Sequence, residues 1–193
     1  MDVPELLEAA SLLVPEGLAT ENDITVRDVW EYLVQDEWEV ALGLLEELGD
    51  VQPLPLDFWE SLTDAARQMR LDRSAAWCQW RCSEIRIGVI RADLNLRPAE
   101  ETGRHSPIPG AGVLRPMWSI GHRASNGEPA LNIAFLWVEF ALEIPPGGRA
   151  SVRIMPLDAS QWRHLNSGDV ITMHEGGPAV GTATILEVQP SSE

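Results

Sequence analysis

The 193-residue chain is 45% hydrophobic and carries a formal charge of -16, which is enough chain for one large domain or two small ones around a buried core. All 14 of its Lys and Arg positions are arginine, so neither a GxxxxGK[ST] phosphate loop nor a Schiff-base lysine exists here. The excess acid lies at the front: residues 1–66 hold seventeen Asp or Glu against the single Arg27, a balance that repels nucleic acid and membranes and favours a basic partner.

The opening MDVPELLEAA is acidic where a secretory signal would be basic, and no run of about eighteen apolar residues follows. The expectation is a soluble, cytoplasmic bacterial protein. ITVRDVWEYLV predicts a first amphipathic helix, with Thr25 as N-cap, Asp28 three residues on, and Val29, Trp30 and Leu33 on one face. DEWEVALGLLEELGD predicts a second, capped by Asp36 with Glu39 at the box position, carrying Trp38, Leu42, Leu45 and Leu48 at helical spacing, and stopped by Gly49. LDFWESLTDAARQMR repeats the device with Asp57 and Glu60, turning Phe58, Leu62, Ala65 and Met69 inward. These carboxylates read as caps and solvated faces.

WCQWRC places Cys78 and Cys82 on neighbouring turns of one helical face; without a second pair or a nearby histidine they make no zinc site and read as reduced thiols. Trp30, Trp38, Trp59, Trp77 and Trp80 fall at or near apolar helical positions and are expected to pack in the core. An exposed one ringed by carboxylates would instead suit a cationic partner.

The pattern changes at Glu84. EIRIGV alternates Ile85, Ile87 and Val89 with polar partners, and IRADLNL alternates again with the parity flipped, so two strands or one kinked strand is expected. LRPMWSI, ALNIAFLWVEFAL, ASVRIMPL, DVITMHE and AVGTATILEV follow as strand candidates between turn clusters such as SNGEP, IPPGGR and EGGP. The predicted fold class is therefore α+β with segregated elements: an acidic α-helical domain over residues 1–83 and a small antiparallel β-barrel over residues 84–193.

Between two of these strands runs ADLNLRPAEETGRHSPIPGAGVLRPMW, with an acid pair (Glu100, Glu101), a Gly103-Arg104-His105 triplet and an Arg115-Pro116 step. It resembles the start of the third, C-terminal domain of elongation factor Tu, where an acidic-Gly-Arg-His-Thr-Pro loop follows the first strand and an Arg-Pro leads the second. IPPGGRASVRIMPL and GDVITMHEGGPAVGTATILEV are similar to the closing strands of that domain, about a hundred residues on and in the same order. The stretch from Gly121 to Leu142 departs from the pattern, and the resemblance covers residues 84–193 alone.

The resemblance implies a non-catalytic β-barrel that contacts protein partners and the T-arm side of aminoacyl-tRNA. No GTPase activity is expected without the G domain and its lysines. Glu175 and Gly176 match the hairpin that lies at the tRNA surface in that family, and Arg115 is a further candidate for the same surface. Read from the residues alone, Gly176 and Gly177 supply the positive-φ positions of a hairpin turn and Glu175 is solvated. His105 can turn against Glu100 and Glu101, or Arg104 can bridge those acids; either would stiffen the loop.

The histidines His105, His122, His164 and His174 all lie in the barrel half, with no HExxH, GxSxG or other metal or nucleophile spacing. His174 with Glu175 and Asp169 is the nearest thing to a constellation, and a solvent-facing strand-end histidine is the simpler reading. No catalytic residue, cofactor or metal is expected. The expected function is a non-catalytic, protein-binding adaptor, translation-factor-like, using Arg104, His105, Arg115, Glu175 and Gly176; its charge disfavours direct nucleic-acid binding. The alternative is an acidic immunity or antitoxin-type protein whose helical domain covers a basic toxin.

Overall fold

In a computed structural model, which describes residues 1–191, the chain forms two units, Met1–Ser83 and a second beginning at Glu84. The first is helical. Helix α1 (Val3–Ser11) starts from a reciprocal cap, Asp2 accepting from the Glu5 amide and Glu5 accepting from the Asp2 amide, and buries Leu6, Leu7 and Ala10. Helix α2 (Val26–Val34) begins at Thr25, whose amide and hydroxyl both donate to Asp28 Oδ2 at 2.7 and 2.9 Å. The Thr25 amide bond is the main reason the Asp28 carboxyl titrates below the usual range.

Helix α3 (Trp38–Val51) departs from expectation at both ends. Its N-cap is Glu37, because Asp36 stands in the left-handed region at φ 60° and belongs to the turn before it. Gly49 does not stop the helix but lies within it, buried against Phe58 and Trp59 of helix α4 (Leu56–Gln68). That helix starts after Pro55 without a side-chain cap, so Asp57 and Glu60 do not repeat the capping device. Phe58, Leu62 and Ala65 are fully buried as expected, while Met69 is the half-buried C-cap.

Helix α5 (Asp72–Ile87) carries Cys78 and Cys82, both buried free thiols. The Cys78 thiol donates to Glu46 Oε1 at 3.5 Å, and burial pushes the Glu46 carboxyl above its ordinary range. A carboxyl whose pKa is raised by folding contributes stability below its unfolded pKa, and that contribution is lost as pH rises through the folded value. Glu46→Gln, which keeps an acceptor for the thiol, is thus expected to raise stability at pH 7. The gain should vanish near pH 4 in urea titrations at the two pH values. Trp59 and Trp80 are core residues, but Trp30 is 37% exposed, so the expectation of core packing fails there.

The strand expected from Glu84 is also corrected. Glu84–Ile87 is the last turn of α5, and strand β1 (Gly88–Leu96) begins at Gly88, the first residue after Cys82 able to break the helix. Gly88 has φ 95°, and a Cβ there would meet the Gln189 carbonyl oxygen at 2.9 Å, so both backbone and space require glycine. The parity flip between Val89 and Ile90 sits just inside this corner.

The second unit continues with a short helix α6 (Ala99–Thr102) and strands β2 (Ile108–Pro109), β3 (Ala111–Leu114), β4 (Met117–Arg123), β5 (Pro129–Val138), β6 (Glu143–Ile144), β7 (Arg149–Pro156), β8 (Val170–His174) and β9 (Ala179–Pro190). Antiparallel pairing runs β4-β8-β9-β1-β7-β5 and returns to β4, closing six strands into a barrel. Strand β5 makes closure possible by serving twice. Its first half pairs with β4 (Ile133 with Met117) and its second with β7 (Leu136 with Ile154). Ile90, Ala92 and Leu94 of β1 point inward to meet Trp118, Leu136, Ile154, Met173 and Ile185 in one apolar core. Short β3 lies beside the second half of β5, and β2 pairs with β6. No helix among the described residues is long and apolar enough to cross a membrane.

Candidate functional site

Two polar constructions stand out on the barrel: one joins loops at an end, the other is sunk in the wall. At the end, Pro98 leads into α6, which stops at Gly103 in the left-handed conformation, and the turn delivers Arg104 with its amide held by Thr102 Oγ1 at 3.2 Å. Its guanidinium then crosses to Glu175 in the β8–β9 turn, forming an ion pair, and donates to the Pro107 carbonyl at 3.1 Å. Both side chains are shielded, 15% and 25% exposed. The turn itself is set by Gly176 at φ 71° and by His174, whose ring contacts Thr172 Oγ1 at 3.0 Å and the Gly177 carbonyl at 3.1 Å.

This geometry answers the sequence expectations residue by residue. Arg104 and Glu175, 71 positions apart, meet directly; Arg104 does not bridge Glu100 and Glu101, because the helical turn of α6 carries those acids into solvent. His105 is exposed. Arg115 is also exposed at the same end, since Met117, two residues on, pairs with His174; its guanidinium lies 4.6 Å over the Phe135 ring. Gly176 supplies a turn conformation. His174 is engaged with its own hairpin rather than with Asp169, which accepts from the Asn166 amide at 2.8 Å. The Arg104–Glu175 bond is charge-assisted and partly out of water, so an Arg104→Ala, Glu175→Gln double-mutant cycle is expected to give a coupling of about 1–2 kcal/mol by denaturant unfolding.

The wall construction was not foreseen. Glu139, 4% exposed, receives Arg153 Nε at 2.7 Å and the Arg91 guanidinium twice at 3.2 Å. Arg153 also donates to Glu84 at 2.9 Å, and Arg91 reaches Glu187 at 3.6 Å. Arg91 and Arg153 are register partners on β1 and β7, so the two cations stand side by side on the outer face and share the carboxylate between them. Burial opposes the charge on Arg91, and the Glu139 hydrogen bonds and negative charge outweigh it, raising its pKa. Each cation of the network meets two carboxylates, the arrangement that offsets the cost of burying charge. In the sequence Glu139 looked like an interruption in the apolar strand ALNIAFLWVEFAL; a lone acid at the end of such a run was the signal.

The remaining histidines pair with each other. His122 and His164 stack with centroids 4.4 Å apart, and His164 Nε2 lies 2.7 Å from the Ile120 carbonyl oxygen, which it meets as donor. No group of three or more His, Cys, Asp or Glu among the described residues is arranged to hold a metal ion. No protein-family model matches the chain, and no curated protein matches its sequence.

Proposed function

We propose that the protein is a non-catalytic adaptor that binds another protein through the barrel end built by the Arg104 loop and the Glu175 hairpin. The observation that carries this reading is the Arg104–Glu175 pair. Two loops singled out by separate motifs are locked to each other, with His105 and Arg115 among the exposed polar groups around the lock. A lock with its charges already matched to each other orients the surface around it. The resemblance of residues 84–193 to the third domain of elongation factor Tu gives the partner class, a component of the translation apparatus.

Binding to immobilised elongation factor Tu, its exchange factor and aminoacyl-tRNA tests this. A protein component should bind the chain, and Arg115→Glu with His105→Ala should weaken it about tenfold without a change in fold, as removal of interface anchors does. Binding to none of them, or binding indifferent to both substitutions, would overturn the reading.

One observation favours a second reading. The seventeen acids against one arginine in residues 1–66 suit an immunity or antitoxin-type protein whose helical unit covers a basic toxin surface. Its mark would be association that weakens steeply with salt and is lost when charges between Asp36 and Leu48 are reversed.

A further inference from the structure

The helical unit leaves one apolar strip uncovered. Val34, the last residue of α2, is 86% exposed, and Trp30, one turn earlier on the same face, is 37% exposed. The Trp30 indole donates to Ser11 Oγ at 2.9 Å, which ties it to the end of α1, where the next residue, Leu12, is 71% exposed. Trp30 and Val34 thus share one exposed face of α2, and the Ser11 bond brings that face to the end of α1 that carries Leu12. Exposed apolar side chains grouped in this way, with a polar rim, mark contact surfaces.

The rim decides what the strip takes. Glu8 precedes Leu12 by one turn, Glu31 follows Trp30, and Asp36 and Glu37 follow Val34; all four are exposed. Arg27, one turn before Trp30, is the single cation of the first 66 residues. An apolar strip with a carboxylate rim is complementary to a helix whose apolar face is edged by Lys or Arg. An anionic or purely apolar partner would strand the carboxylates. The geometry points to the Leu12–Trp30–Val34 strip as the docking site for a cationic amphipathic helix of another protein. This rests on the second reading above, that the acidic unit meets a basic partner, and narrows that partner to a helix and its contact to one face.

The probe is a synthetic Leu/Lys amphipathic peptide of about 18 residues, long enough to lie along the strip, beside a scrambled peptide of identical composition. Titration into the full chain, followed by the anisotropy of labelled peptide, should show saturable binding that the scramble does not match. Leu12→Ser with Val34→Ser, both at exposed positions, should weaken binding about tenfold with an unchanged circular dichroism spectrum. Arg27→Glu should tighten it. Equal binding of the scramble would overturn the strip while leaving the acidic-surface reading intact; absence of binding by either peptide would overturn both. A dimer in sedimentation that the Leu12/Val34 substitutions dissolve would also overturn it, by showing a second copy as the occupant.

Discussion

Glu139→Ala is expected to destabilise the barrel by about 3–5 kcal/mol, the range found when one member of a buried ion network is removed and its partners stay behind. The reason lies in the count of partners. Arg153 retains Glu84, but Arg91 and Arg153 then face each other across a register pair with no carboxylate between them. The comparison that isolates this mechanism is Glu139→Leu with Arg91→Met, which removes the acid together with the cation whose other partner, Glu187, is 47% exposed. It should lie closer to the parent than Glu139→Ala does, because Arg153 keeps its bond to Glu84 and Glu187 is left to water. Urea unfolding of the barrel transition measures both; a Glu139→Ala loss below about 1 kcal/mol would mean that water reaches the network and screens it.

The second large effect runs against helix propensity. Ala is favoured over Gly inside a helix by about 1 kcal/mol, so Gly49→Ala at an ordinary site of α3 would stabilise. Here a Cβ would fall 2.5 Å from Trp59 Cζ2 and 2.6 Å from its Cη2. The Trp59 ring cannot retreat freely: it is fully buried, edge-on to Phe58 at 5.0 Å, and covered by the Arg81 guanidinium at 4.4 Å. Overpacking of a fixed core ring costs about 1–3 kcal/mol, and a displaced ring would also loosen the Arg81 stack. The expected net is a loss of about 1–2 kcal/mol in thermal or urea unfolding of the helical unit, with Gly49→Val worse. A gain would show that Trp59 shifts at no cost.

What was legible in the sequence follows the range of the forces involved. Thr25 and Asp28 are three residues apart and touch as their spacing predicts. The strands ASVRIMPL, DVITMHE and AVGTATILEV kept their places as β7, β8 and β9 because a period of two with flanking glycines is a local signal. Gly49 was misread since a glycine needed for room and a glycine needed for a stop look alike until Trp59 is in place. EIRI was misread since Ile85 and Ile87 alternate like a strand, yet nothing between Cys82 and Ile87 ends the helix. At the barrel end, Arg104 and Glu175 were both recognisable from their motifs, but their pairing depends on the β8–β9 turn meeting the α6 loop after closure. For the wall network the lone acid Glu139 was visible but its partners were not, Arg91 and Arg153 lying 48 and 14 positions from it and Glu84 69 positions from Arg153.

The pairing of β1 with β9 sets an order of events during synthesis. Ile90 cannot meet Val188 until the chain has grown by nearly the whole barrel, whereas α1 to α4 pack among themselves. At translation speeds of about 5–20 residues per second, the interval between completion of the helices and arrival of β9 is roughly 5–20 s. Through that interval β1 lacks one of its two neighbours, so the nascent chain carries a folded acidic head and an unclosed sheet. The like charge of such heads repels one nascent chain from another while the non-local half is still unpaired.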